Sequence, residues 1–193
     1  LVIAVYPSGS IKKGVADEKK ACWSDTERAQ VAEGAAPSEV VFFENDGPLP
    51  AGISTRAQFG RDVYQVAASD VVVVDARERR GLGVGVEMAA AAAFRVPILV
   101  VAPRNTKYRA DRLAYRGTVV EDYVHPHIAA LATLIVDDFR EAGRRLLRTA
   151  RSKPLNPVMG MPSWLEGAYG EYRDRVLPGD PPMLALLDRL GRR

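Results

Sequence analysis

Apolar residues along this chain fall into short continuous runs separated by longer stretches in which they recur every three or four positions. Val2–Tyr6, Val40–Phe43, Asp70–Val74 and Pro97–Val101 are β-rich runs, the pattern of strands buried on both faces. Thr118–Val120 is a fifth candidate. Asp17–Glu33 is compatible with a helix but weakly patterned. Thr55–Ala68 is clearer: Phe59, Val63 and Val66 share one helical face, and Thr55 with Gln58 reads as a capping box. Gly85–Arg95 predicts an alanine-rich helix. His127–Arg151 predicts one long amphipathic helix, with Leu131, Leu134, Ile135, Phe139 and Leu146 on its apolar side. Strand and helix alternate, so the expected fold is α/β. A parallel five-stranded sheet flanked by helices is predicted, of the Rossmann-like or flavodoxin-like kind.

The pattern breaks at Ser152. Pro154, Pro157, Pro162, Pro178, Pro181 and Pro182 interrupt the remaining stretch, and its aromatic residues are scattered. Residues 1–151 therefore read as one α/β domain. Residues 152–193 read as an irregular extension draped over that domain or over a neighbouring subunit, with one short helix at Pro182–Leu190.

Composition narrows the class only a little. The 193 residues are 47% hydrophobic and 26% charged, and the formal charge is +3. That suits a globular protein with a core, and it gives no case for a nucleic-acid partner. Cys22 is the single cysteine, so no internal disulfide can form, and no neighbour in sequence would activate it. No apolar run approaches the roughly 18 residues of a membrane helix. The expectation is a cytoplasmic protein with no membrane association. His125-Pro126-His127 reads as a helix start, since two histidines without paired acids or cysteine make a poor metal set. Neither a metal nor a cofactor is expected. Arg144, Arg145, Arg148, Arg151 and Lys153 read as a solvated helix face or a subunit contact.

Two glycine turns follow strands, where ligands sit in parallel α/β sheets. Pro7-Ser8-Gly9-Ser10-Ile11-Lys12-Lys13-Gly14 comes after the first strand. Gly81-Leu82-Gly83-Val84-Gly85-Val86-Glu87 comes after the third. Either turn is a plain strand-to-helix connection or a cradle of backbone amides for an anion. Glu87 reads as a first-turn residue of the alanine-rich helix, where the dipole favours the ionised form. That makes it either a simple helix-start acid or a nucleophile. Asp62 lies at the edge of the Phe59–Val63–Val66 stripe. There it is either a locally paired helix acid or a desolvated carboxyl suited to donate a proton. Glycosidic chemistry uses one carboxylate to attack and another to donate.

Arg61–Pro97, RDVYQVAASDVVVVDARERRGLGVGVEMAAAAAFRVP, resembles the nucleoside 2-deoxyribosyltransferase family. The opening VYPSGSIKKG resembles the turn of the branch that hydrolyses 2′-deoxynucleoside 5′-monophosphates. CMP and hydroxymethyl-CMP hydrolases are further relatives of that branch. The resemblance spans roughly residues 1–117. It implies Glu87 as nucleophile on the sugar C1′, Asp62 acting on the departing base or orienting the sugar, and Tyr6 positioning Glu87. It also implies a nucleotide pocket lined by Gly9, Ser10, Ile11 and Lys12, with Asn45 on the base side and Gly81, Gly83 and Gly85 in the second turn. Lys13 replaces a family glycine. Gly81 replaces a phosphate-binding serine, beside Arg79 and Arg80. Arg112 stands where a neighbouring subunit would contribute a serine, which implies a homo-oligomer with shared sites. The expected activity is hydrolysis of the N-glycosidic bond of a nucleoside 5′-monophosphate. Base exchange by a transferase and nucleotide binding without catalysis are the alternatives.

Overall fold

A computed structural model describes residues 1–9, 23–78, 81–153 and 163–192. The chain alternates β1 (Val2–Ser8), α1 (Asp25–Ala35), β2 (Glu39–Phe42), α2 (Thr55–Ala68), β3 (Val71–Asp75), α3 (Leu82–Ala93) and β4 (Ile98–Val101). A hairpin of β5 (Arg109–Tyr115) and β6 (Thr118–Val124) follows, then α4 (Pro126–Leu131), β7 (Leu134–Val136) and α5 (Phe139–Ala150). The C-terminal part holds α6 (Ser163–Glu171), a π-helical turn at Tyr172–Val176, a 3-10 turn at Leu177–Gly179, and α7 (Pro181–Leu190).

The main sheet has the order β2-β1-β3-β4-β7 and is parallel throughout. This is a flavodoxin-like α/β arrangement. The winding reverses between β1 and β3, whose register pairs Tyr6 with Val72 and Ser8 with Val74. Side-chain alternation sorts the strands onto two faces. Ile3, Val5, Val71, Val73, Leu99 and Val101 pack under α1 and α5 together with Trp23. Ala4, Tyr6, Val72, Val74, Ile98 and Val100 face α2, α3 and the C-terminal helices. Each fully buried valine contributes about 1.5–3 kcal/mol relative to exposure, which is why β3 is valine at every position but its last.

Helices α1 and α5 approach closely through facing glycines. A Cβ on Gly34 would lie 2.2 Å from the Arg140 carbonyl oxygen, and one on Gly143 would lie 2.2 Å from that of Val31.

Four sequence expectations are corrected. The fifth strand of the main sheet is Leu134–Val136, not Thr118–Val120, which belongs to the separate antiparallel hairpin. Arg116 and Gly117 both take positive φ, 51° and 82°, the tight two-residue turn that folds β6 back on β5. The long helix over His127–Arg151 is instead α4, β7 and α5. Leu131, Leu134, Ile135 and Phe139 have helical spacing by coincidence. The apolar run Leu134–Val136 pairs with β4, and Asp138 starts a new helix by accepting from the Glu141 amide at 2.7 Å. The cap of α2 is Ser54, whose hydroxyl accepts from the Ala57 amide at 3.0 Å, not Thr55. The alanine-rich helix begins at Leu82 rather than Gly85.

The extension is far more helical than its prolines suggest. Pro178, Pro181 and Pro182 sit in first turns, where a missing amide costs nothing. Tyr172, Met183 and Leu187 are fully buried in the main core. Helix α6 sits on α2 above Gly60, where a Cβ would come within 2.1 Å of the Ala168 carbonyl. Among the described residues, no helix is long and apolar enough to cross a membrane.

Candidate functional site

The site forms at the carboxyl ends of β1 and β3, where the winding reverses. In β1 the two-residue period puts Tyr6 and Ser8 side by side on the face toward α3, and both are fully buried. In α3, Val84, Met88 and Ala91 are buried, and Glu87 lies three residues after Val84 on the same side. The elements therefore converge on one carboxylate. The Tyr6 hydroxyl donates to Glu87 Oε1 at 2.9 Å, and the Ser8 hydroxyl donates to Oε2 at 2.5 Å.

Glu87 is the sixth residue of α3, not a first-turn residue. The dipole argument for its ionisation therefore fails, because that effect fades within a turn. Burial instead pushes the Glu87 carboxyl above the usual glutamate range, and the hydrogen bonds from Ser8 and Tyr6 pull the other way. No cation pairs with it among the described residues. The result is a desolvated carboxylate with one neutral donor on each oxygen. The Tyr6 hydroxyl is held well above the ordinary tyrosine range by burial, then by the charges of Glu87 and Asp62. It stays a donor at any working pH.

Asp62 joins Glu87 in one pocket of about 210 Å³. Its walls are apolar: Phe59, Val63, Val66, Leu82, Val86 and Ala90 surround the two acids. Asp62 is half-buried at the edge of the α2 stripe, as its spacing predicts. Asn45 Nδ2 donates to the Pro7 carbonyl at 2.9 Å, which ties the loop after β2 to β1 beside Tyr6. Its buried Oδ1 has no hydrogen-bond partner among the described residues.

The second glycine turn opens α3 beside the pocket. A Cβ at Gly81, Gly83 or Gly85 would meet nothing within 4 Å among the described residues. Gly81 is the N-cap of α3 and offers no side chain to the first amides, so no side-chain cap meets those donors among the described residues. Gly83 lines the pocket. Gly9 ends the described part of the first turn. Ser10, Ile11, Lys12, Lys13, Cys22, Arg79 and Arg80 lie outside the described residues. Arg112 is not brought to the pocket. It sits on the exposed hairpin and pairs with Glu121 at 3.1 Å.

Two groups near the site were missed by sequence reasoning. Ser8 was readable from strand alternation, two residues beyond Tyr6. Trp23 was not, because its burial depends on α5. It packs edge-on against Phe139 at 4.8 Å and donates to the Ser8 carbonyl at 3.3 Å. His125 occupies the N-cap position of α4, which starts at Pro126, without a side-chain cap hydrogen bond. Among the described residues, no group of three or more His, Cys, Asp or Glu gathers as a metal set. Arg144 and Arg145 both pair with Glu141, and Lys153 instead donates to the Ala67 and Ser69 carbonyls at the end of α2.

Compared with known proteins, the chain matches no family model and no curated protein.

Proposed function

We propose that this protein hydrolyses the N-glycosidic bond of a nucleoside 5′-monophosphate, releasing free base and sugar 5-phosphate. The observation that carries the reading is the Glu87 carboxylate, held on both oxygens by Tyr6 and Ser8 and sharing an apolar pocket with Asp62. An oriented, desolvated carboxylate with no cation beside it among the described residues is suited to attack an electron-poor carbon and to stabilise the positive charge that develops on the sugar. The resemblance of Arg61–Pro97 to the nucleoside 2-deoxyribosyltransferase family supports the same roles.

In this mechanism the C1′–N bond breaks with its electron pair going to the base. The base takes a proton from Asp62 or from water. Glu87 forms an ester to C1′ through an oxocarbenium-like transition state. Water then adds to C1′, the ester bond breaks, and Glu87 returns as a carboxylate while the water's proton passes to Asp62 or to solvent. In this reading the 5′-phosphate would sit at the first turn of α3, whose amides meet no side-chain cap among the described residues. Arg112, on its exposed hairpin, is available to the site of a second copy, which fits a homo-oligomer with shared sites.

The test is a chromatographic base-release assay over ribo- and deoxyribonucleoside 5′-monophosphates beside the unphosphorylated nucleosides. Release from a monophosphate, lost in Glu87→Ala, is the expected result. Turnover that needs an added acceptor base would replace hydrolysis by base exchange. Near-normal release by Glu87→Ala would remove Glu87 from its role.

A further inference from the structure

An enclosed indole still carries an N–H, and that donor must find an acceptor inside the protein. Trp23 is 1% exposed. It lies between the sheet and helices α1 and α5, on the face away from Glu87. Two edge-on ring contacts set its orientation, to Phe139 of α5 at 4.8 Å and to Phe42 of β2 at 6.0 Å. The Arg77 guanidinium stands 4.7 Å from the centre of the Phe139 ring and pairs with Asp75 at 2.9 Å. Oriented in this way, the indole donates to the Ser8 carbonyl at 3.3 Å.

Ser8 is where the two faces of the sheet are joined. Its hydroxyl points to the α3 side and donates to Glu87 Oε2 at 2.5 Å, while its carbonyl takes the bond from Trp23. Ser8 is also the last residue of β1 and pairs with Val74 at the final rung of the β1–β3 ladder. Gly9 follows, with the least restricted backbone of any residue type. A side-chain hold on the Ser8 carbonyl therefore fixes the peptide plane where the ladder stops, and with it the direction of the Ser8 side chain. The preceding carbonyl is held in the same manner from the other edge. There β2 ends at Phe42, and Asn45 Nδ2 donates to the Pro7 carbonyl at 2.9 Å.

The carboxylate depends on this alignment. Tyr6 and Ser8 of β1 donate to Glu87, and Asp62 of α2 shares its pocket. The two hydrogen bonds support the ionised form against burial. Hydrogen bonds weaken steeply once donor and acceptor are misaligned.

We propose that Trp23 is a positioning residue for Glu87, acting from the opposite face of the sheet through the Ser8 carbonyl to hold the Ser8 hydroxyl on Oε2. Without the indole N–H the Ser8 bond loosens, and Glu87 keeps its proton to higher pH. This effect on the carboxylate stands apart from what Glu87 does, whereas the effect on turnover rests on the glycosidase reading.

The test is carbon-13 NMR of the Glu87 carboxyl across pH in the full chain, with the signal assigned by its loss in Glu87→Gln. Trp23→Phe keeps an aromatic ring and removes the N–H. Its Glu87 titration should move upward, in the same direction as in Ser8→Ala. The double variant should move no further than Ser8→Ala alone, because the two residues act in series. Benzothienylalanine at position 23 replaces only the N–H, by sulfur, and should give the same upward shift even if Trp23→Phe folds poorly. Leu146→Val loosens the same layer without removing a hydrogen bond and should leave the titration in place. In the base-release assay Trp23→Phe should lower kcat by about threefold with KM little changed, a smaller loss than removal of the Ser8 hydroxyl. An unshifted titration with benzothienylalanine, an additive shift in the double variant, or an equal shift in Leu146→Val would each overturn the proposal. The expected shifts in a chain that releases no base would support the positioning role and remove the glycosidase reading.

Discussion

Two buried carboxylates in this fold accept a tyrosine hydroxyl, and they differ in what else holds them. Asp180 accepts from Tyr172 at 2.7 Å and lies 3.3 Å from the Arg61 guanidinium, with both side chains almost wholly enclosed. Glu87 accepts from Tyr6 and Ser8, both neutral. Asp180 has its counter-charge inside the chain and serves to fix the C-terminal helices on α2. Among the described residues Glu87 is oriented but not neutralised, and burial lifts its carboxyl above the ordinary range. A neutralised acid is a fastener. An acid held without a cation has its charge free for a ligand, and the fold bears the cost of desolvating it.

The strongest way to break this contrast is to remove the Glu87 charge. Glu87→Gln should lower base release by about 10³-fold or more while leaving the fold intact. The native state holds the Glu87 proton to a higher pH than the unfolded chain does. Stability from this group is therefore present at low pH and lost as pH rises through the folded value. Glu87→Gln should flatten that decline and melt at or above the wild-type temperature at neutral pH. Melting curves across acid to neutral pH check this, and a Gln variant less stable than wild type at neutral pH would undo the contrast.

The opposite outcome is expected at Asp180. Arg61→Met leaves that carboxylate enclosed without its cation and should cost about 3–5 kcal/mol in urea unfolding. The double variant Arg61→Met with Asp180→Leu should recover part of the loss. Single and double variants of equal stability would show that the pair is not a charge fastener.

Smaller changes sharpen the comparison. Gly60→Ala places a methyl group against the Ala168 carbonyl and should cost about 1–3 kcal/mol, by lifting α6 from α2. Ser8→Ala removes the donor to Glu87 Oε2. It should lower kcat by about tenfold, with KM little changed, and move the acid limb of the pH profile upward, because the ionised carboxylate loses support. The least effect on folding is expected at Arg112, whose pairing with Glu121 is exposed. If a second copy completes the site, Arg112→Ala should reduce turnover with melting unchanged. Unchanged turnover would confine the site to one chain.

Much of this was legible beforehand because it depends on local pattern. The runs at Val2, Val40, Asp70 and Pro97 mark strands that must be buried on both faces. The stripe on Thr55–Ala68 placed Asp62 at the edge of the core. Errors arose where one spacing served two structures. Leu131, Leu134, Ile135 and Phe139 satisfy a helical period yet fold as helix, strand and helix, because the open edge of β4 was available to Leu134–Val136. Glu87 was singled out for its place in a turn, whereas its environment comes from α3 pressing it onto β1.

By itself the sequence determined the alternation of strands and helices, the parallel sheet, and which acids stood beside apolar stripes. Those follow from periodicity, which a chain carries in its own order. Only the tertiary structure decided that Tyr6 and Ser8 would meet Glu87 across about eighty residues, that Asp180 would be neutralised by Arg61, and that a proline-rich tail would become part of the core. Those are contacts between distant segments. Their energy depends on burial and counter-charge, which exist only once the segments have packed.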